Sequence, residues 1–159
     1  LDAVPLLRRE VGSVRVLCVG GGPMRTLLRD QAERLGIGDI VEFREMTPDI
    51  RPDLASADVV VLPSLKPEPF GQIVLEAMAC GKPVVAADHG GPREIITDGS
   101  DGMLFPPGDA AGLADRLARL AKDESLRIRL GRNARRTIEE RFDHREANRG
   151  LENPFRSLT

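Results

Sequence analysis

The sequence predicts an α/β protein of the doubly wound kind, a parallel sheet with helices on both faces. Three observations carry that expectation. Short apolar runs alternate with longer segments of helical spacing from Val14 onward. Polar residues hardly interrupt runs such as Val59-Val60-Val61-Leu62 and Val84-Val85-Ala86-Ala87, as suits parallel strands covered on both faces. The connections between them are short and marked by Gly or Pro.

Taken in order, Leu1 to Glu10 carries Leu6, Leu7 and a basic pair, and reads as a short helix. Val14 to Val19 is a strand with Arg15 as its one polar residue. Gly20-Gly21-Gly22-Pro23 then turns into a helix ending near Leu35, with Leu27, Leu28, Ala32 and Leu35 at helical spacing and Pro23 suited to the first helical position. These glycines suggest a dinucleotide-binding turn, but Arg25 stands where Gly-x-Gly-x-x-Gly needs its third glycine, so the motif fails. Gly22 remains as a tight turn at a helix N-terminus, either near a ligand or simply redirecting the chain. Ile40 to Phe43 is a short strand, and Arg44 to Ala57, broken by Pro48 and Pro52, holds one short helix. Strands follow at Val59 to Leu62, Val84 to Ala87 and Gly102 to Phe105. Gly90-Gly91-Pro92 opens a short helix through Ile96, and longer helices cover about Ala110 to Lys122 and Ser125 to Arg141.

Composition narrows the function. A chain of 159 residues, 41% hydrophobic and 30% charged, is an ordinary globular domain. A net charge of −2, with no Trp or Tyr and five Phe, argues against a nucleic-acid partner. The two histidines, His89 and His144, have no cysteine companions, so no metal site is expected. Cys18 and Cys80 read as small buried hydrophobes in a reducing, cytoplasmic compartment. No run reaches the ~18 apolar residues of a membrane span, and no secretory signal is present. The Arg-rich helix, with Arg127, Arg129, Arg132, Arg135 and Arg136, reads first as a solvated amphipathic face, membrane-surface contact being the lesser reading.

The stretch with most chemistry runs from Leu62 to Gly81. A proline-rich loop leads into a helix beginning near Gly71 that is apolar almost all round, interrupted by Gln72 and Glu76 on one face. The first turn, from Phe70 through Gly71, Gln72 and Ile73, offers backbone N–H groups and a dipole that favour an anion. Glu68 lies in the loop, seven residues separating it from Glu76. The residues thus point to a ligand carrying both phosphate and hydroxyl groups, in a sheet whose loops at the carboxyl ends of the strands (20–23, 63–71 and 88–92) converge. The plainer alternative makes Glu76 a cap for a neighbouring loop's amides and Glu68 a solvated acid.

Glu68-Pro-Phe-Gly with Glu76, then Ala-Met-Ala-Cys-Gly-Lys-Pro-Val-Val, His89-Gly-Gly-Pro-Arg-Glu-Ile, Asp98-Gly99 and Pro106-Pro-Gly-Asp, resembles the carboxyl-terminal domain of family-4 retaining glycosyltransferases of the GT-B fold, from about Val14 to Phe142. The resemblance implies a Rossmann-like, donor-binding domain over residues 1–142, lacking its first strand, with a helical tail over 143–159. It implies transfer of a sugar from a nucleotide diphosphate sugar to an acceptor hydroxyl with retention, without a metal or other cofactor, and no Asp-x-Asp occurs here. Glu68 would be the catalytic carboxylate, meeting the transferred sugar. Glu76 would hold the ribose. Amides of Phe70, Gly71, Gln72 and Ile73 would hold sugar and distal phosphate, and backbone near Arg44 to Met46 the base. The family's Arg and Lys for the phosphates, and its amino-terminal acceptor domain, would precede Leu1, so the chain alone is expected to be inactive. The loop Leu65-Lys66-Pro67 is one residue longer than the commoner form. A non-catalytic nucleotide- or phosphate-binding module of the same fold is the alternative, and a GT-B epimerase fits less well. Without the first strand, Val14 to Val19 and Val59 to Leu62 would pair directly, take a strand from another chain, or leave the protein marginally stable.

Overall fold

The fold is built around β4 (Val84–Ala87), whose four residues are all buried and whose side chains alternate between two cores. Val84 and Ala86 join Val74, Ala77, Met78, Ile95 and Ala134 on one face, whereas Val85 and Ala87 join Met103, Phe105, Leu120 and Leu130 on the other. This is the two-sided burial that unbroken apolar strands predict. In the computed structural model, which describes residues 1–142, the remaining elements are α1 (Ala3–Val11), β1 (Val16–Val19), α2 (Met24–Arg34), β2 (Val41–Arg44), α3 (Arg51–Ser56), β3 (Val60–Leu62), α4 (Gln72–Ala79), α5 (Gly90–Ile95), β5 (Met103–Phe105), α6 (Ala110–Lys122) and α7 (Glu124–Arg141). The tail expected over 143–159 lies outside the described residues.

Every strand pair is parallel, as expected, but the strands form two sheets: β1 with β2, and β3-β4-β5. Direct pairing of the first and third strands, one of the three expected outcomes, does not occur among the described residues. Val16 and Gly20 donate to Ile40 and Arg44 on the β2 side (2.9 and 3.0 Å), and Val60 donates to Pro83 on the β4 side (3.0 Å). Alternation along a strand therefore turns the N–H groups of Leu17, Val19, Val59 and Val61 away from their own sheets. The apolar residues of β1 and β3 are correspondingly only half-buried. Helix α1 ties the two sheets together: Ala3 and Leu7 pack on Ala114 and Ala118 of α6, and Val4 packs on Ala32, Ile37 and Val41. Amides of Leu17, Val19, Val59 and Val61 are expected to exchange with deuterium roughly a hundredfold faster than those of Val85 and Ala86, since unpaired edge groups need no opening event. Equal protection, read by NMR on this chain, would show that the two edges are paired in solution.

Three details correct the sequence reading. Cys80 is exposed, because α4 stops at Ala79 and Cys80 is its carboxyl cap. Cys18 is partly buried, and that burial pushes its thiol up. Pro23 occupies the position before the first helical residue, with φ −67° fitting it there equally well.

Three arginines of α7 close helix ends. Arg127 Nη1 donates to the Leu120 and Ala121 carbonyls at the end of α6 (2.6 and 3.1 Å), Arg141 to Glu94 and Ile95 at the end of α5 (3.0 and 3.2 Å), and Arg135 to Ala79 at the end of α4. Cations suit these carbonyls, which have no partner within their own helix. At Gly131, α7 meets the Gly81 carbonyl so closely that any Cβ would overlap it.

Candidate functional site

The loops after β3 and β4 meet at the carboxyl edge of the three-stranded sheet. The chain leaves β3 through Pro63, crosses Ser64 to Phe70 and enters α4 at Gly71, whose φ of +71° is a left-handed conformation that glycine adopts without strain. No side chain caps α4. The Gly71 carbonyl accepts from Val74 at 2.8 Å, leaving the N–H groups of Gln72 and Ile73 directed out of the helix start. That end therefore has both the donors and the partial positive charge to receive an anion.

Glu68 is half-buried and accepts a hydrogen bond from Ser64 Oγ at 3.3 Å. Its carbonyl accepts from the Gly91 N–H at 2.7 Å. Glu76 is half-buried and accepts from Gln72 Nε2 at 3.1 Å, one turn back on α4. Among the described residues neither carboxylate forms a salt bridge. Two acids with spare acceptor capacity, beside an uncapped helix N-terminus, can bind hydroxyl and phosphate together. The capping role considered for Glu76 would need backbone amides from a neighbouring loop, and its partner is instead Gln72.

The loop after β4 supports the loop after β3. His89 Nε2 lies 2.9 Å from the Ser64 carbonyl. A Cβ on Gly90 would overlap the Glu68 carbonyl, and one on Gly91 would come within 2.5 Å of the Phe70 backbone. The Pro92 ring sits against Gly71, where a Cβ would approach it to 3.3 Å. The two glycines are thus required by backbone-on-backbone contact, which a strand followed by Gly-Gly-Pro signals only in outline. The sequence reading missed Ser64 as a partner of Glu68 and His89 as a partner of Ser64, since neither spacing nor periodicity relates them.

Other predicted residues stand apart from this contact. Gly22, at φ +113°, is exposed with open space around it. Its loop belongs to the β1–β2 sheet, where Arg25 pairs with Glu45 and donates to the Phe43 carbonyl at 3.3 Å. Met46 is 75% exposed just beyond β2, and Phe70 is 61% exposed ahead of α4. Arg44 donates to Glu42 at 2.7 Å and to the buried Asp53 at 2.5 Å. Its hydrogen bond holds the Glu42 carboxyl below the usual range. Asp101, 4% exposed, is a structural acid that receives the Thr97 N–H and the Thr137 hydroxyl, each at 2.7 Å. Among the described residues no helix is long and apolar enough to cross a membrane, and no acid, His or Cys group could hold a metal ion.

The profile of the family described as "Glycosyl transferases group 1" matches residues 1–137. The N-acetyl-alpha-D-glucosaminyl L-malate synthase of Bacillus anthracis is 38% identical over 143 residues, 89% of this chain and 37% of that protein. The crystal structure of Anabaena HepE in complex with UDP and glucose superposes with a TM-score of 0.87 at 31% identity, over 98% of this chain and 44% of that one. A carboxyl-terminal domain of the glycosyl transferase group 1 protein LpcC from Francisella tularensis gives a TM-score of 0.79 at 26% identity, over 89% of this chain and 76% of that domain. The chain therefore spans less than half the length of the HepE and Bacillus anthracis proteins.

Proposed function

The chain belongs to the group 1 glycosyl transferases, with a GT-B-type Rossmann-like fold, and we propose that residues 1–142 are the donor-binding domain of an enzyme transferring a sugar from a nucleotide diphosphate sugar to an acceptor hydroxyl with retention. The observation that carries this reading is the pair Glu68 and Glu76, free of salt bridges among the described residues and flanking the uncapped start of α4. The UDP and glucose bound by HepE support the choice of ligand class.

In this reading the N–H groups from Phe70 to Ile73 hold the sugar and distal phosphate with the dipole of α4 behind them. Glu76, kept in place by Gln72, accepts from the ribose hydroxyls. Glu68 meets the transferred sugar and stabilises positive charge as it develops at the anomeric carbon. The backbone from Arg44 to Met46, braced by the Arg44–Asp53 bond, faces the base, with Gly22 at the neighbouring edge. No cofactor or metal takes part, and the remaining length of the polypeptide supplies the acceptor domain. The enzyme works in the cytoplasm.

Glu76→Gln in the full-length polypeptide tests the assignment. It keeps the size and removes the charge, and losing the partner of a charged group costs about 1–3 kcal/mol. Calorimetry with UDP, GDP and ADP should show the preferred nucleotide binding roughly ten- to a hundredfold more weakly than to wild type. Wild-type binding and turnover by the variant would make Glu76 a structural residue and remove it from the site.

A further inference from the structure

We propose that His89 is a positioning residue for the transfer reaction: its ring Nε2–H, donated to the Ser64 carbonyl, fixes the backbone from which Ser64 orients the Glu68 carboxylate. This rests on the donor-binding reading above, in which Glu68 acts at the sugar.

The contact determines the tautomer. A carbonyl oxygen only accepts, so at 2.9 Å the Nε2 atom must carry the proton. In the neutral ring Nδ1 is then a bare acceptor, and it is buried with no partner among the described residues. An unpartnered buried acceptor is a standing cost, and a ring that served only to fill space would be better replaced by an apolar side chain. What the ring contributes is the Nε2–H directed across to the β3 loop.

From there the connection to Glu68 is short. Ser64, anchored through its carbonyl, donates Oγ–H to Glu68 Oε2 at 3.3 Å. The Glu68 backbone is held separately, by the Gly91 N–H at 2.7 Å and by the close seat on Gly90. His89-Gly90-Gly91 therefore secures Glu68 at both ends, the main chain through the glycines and the carboxylate through Ser64. Loss of the imidazole leaves the main-chain anchor intact and frees only the carboxylate. The amides at the start of α4 and the Gln72–Glu76 pair lie on a different element and are unaffected. The expected signature is a loss in turnover without a loss in nucleotide binding.

The experiment uses the full-length polypeptide with His89→Ala, His89→Gln and His89→Asn, measuring calorimetric affinity for UDP, GDP and ADP and kcat for the matching sugar nucleotide. The Gln amide can place a donor where Nε2 stood, whereas the shorter Asn cannot reach Ser64. His89→Ala and His89→Asn should lower kcat roughly tenfold or more while nucleotide affinity stays within about twofold, and His89→Gln should recover most of the rate. Thermal melts confirm that each variant is folded; if His89→Ala unfolds, the Gln–Asn contrast decides alone. Equal rates for Gln and Asn, unchanged turnover in both, or parallel loss of affinity and rate would overturn the proposal. If the wild type binds no nucleotide diphosphate, the functional reading itself fails, and with it this role for His89.

Discussion

Glu68→Gln in the full-length polypeptide is expected to lower kcat roughly a hundred- to a thousandfold while leaving nucleotide affinity within about threefold of wild type, the usual scale for removing one electrostatic stabiliser of a transition state. The substitution is mild structurally. The Gln carbonyl oxygen still accepts from Ser64 Oγ, and the main-chain bond from Gly91 to residue 68 does not involve the side chain. What disappears is the negative charge that the proposed mechanism places beside the reacting carbon. An interaction stronger in the transition state than in the ground state appears in kcat, whereas one equal in both appears only in binding. Glu68 and Glu76 should therefore give opposite patterns, rate loss for the first and affinity loss for the second. Steady-state kinetics and calorimetry on the two Gln variants separate them. A Glu68→Gln enzyme with full kcat and tenfold weaker nucleotide binding would reassign Glu68 to ground-state binding.

Residues whose role is set by local pattern were legible in the sequence. The two-sided burial of β4 followed from an apolar run without alternation, and the start of α4 from the change at Gly71 into helical spacing. Glu68, Glu76 and the amides between them could be singled out because they lie within a few residues of one helix start. That the loops 63–71 and 88–92 converge was legible, but the particular contacts between them were not. His89 is 25 residues from Ser64, and Gly91 is 23 from Glu68, so no periodicity links them. The arginines of α7 illustrate the same limit. The solvated face that their spacing suggests is present, with Arg129, Arg132, Arg135 and Arg136 exposed, but Arg127, Arg135 and Arg141 also serve the carbonyl ends of three other helices, partners set by packing alone. The division of the strands between two sheets was foreshadowed only by topology: in the common doubly wound order a further strand lies between the positions taken here by β1 and β3.

The 159-residue chain by itself is expected to give no sustained sugar transfer. Bringing a donor and an acceptor into reacting geometry is worth effective molarities of about 10⁵ M or more, and this chain accounts for only 37% of the Bacillus anthracis relative and 44% of HepE. Charge at the site points the same way. A nucleotide diphosphate brings negative charge to an edge that already carries Glu68 and Glu76, neither of them in a salt bridge among the described residues. The start of α4 supplies the equivalent of about half a positive charge. Arg25 is engaged by Glu45 and Arg93 by Asp88, which leaves neither fully available to the phosphates. Within this edge Lys66, exposed in the longer-than-usual loop, is the nearest cation in sequence to Glu68. The donor should therefore bind the isolated chain weakly, and the bound sugar should meet water rather than an oriented hydroxyl. A radiolabelled sugar-nucleotide assay on the chain alone should register at most trace donor hydrolysis. Sustained transfer to any acceptor would mean that these residues assemble a complete active site, and the division of labour proposed here would be wrong.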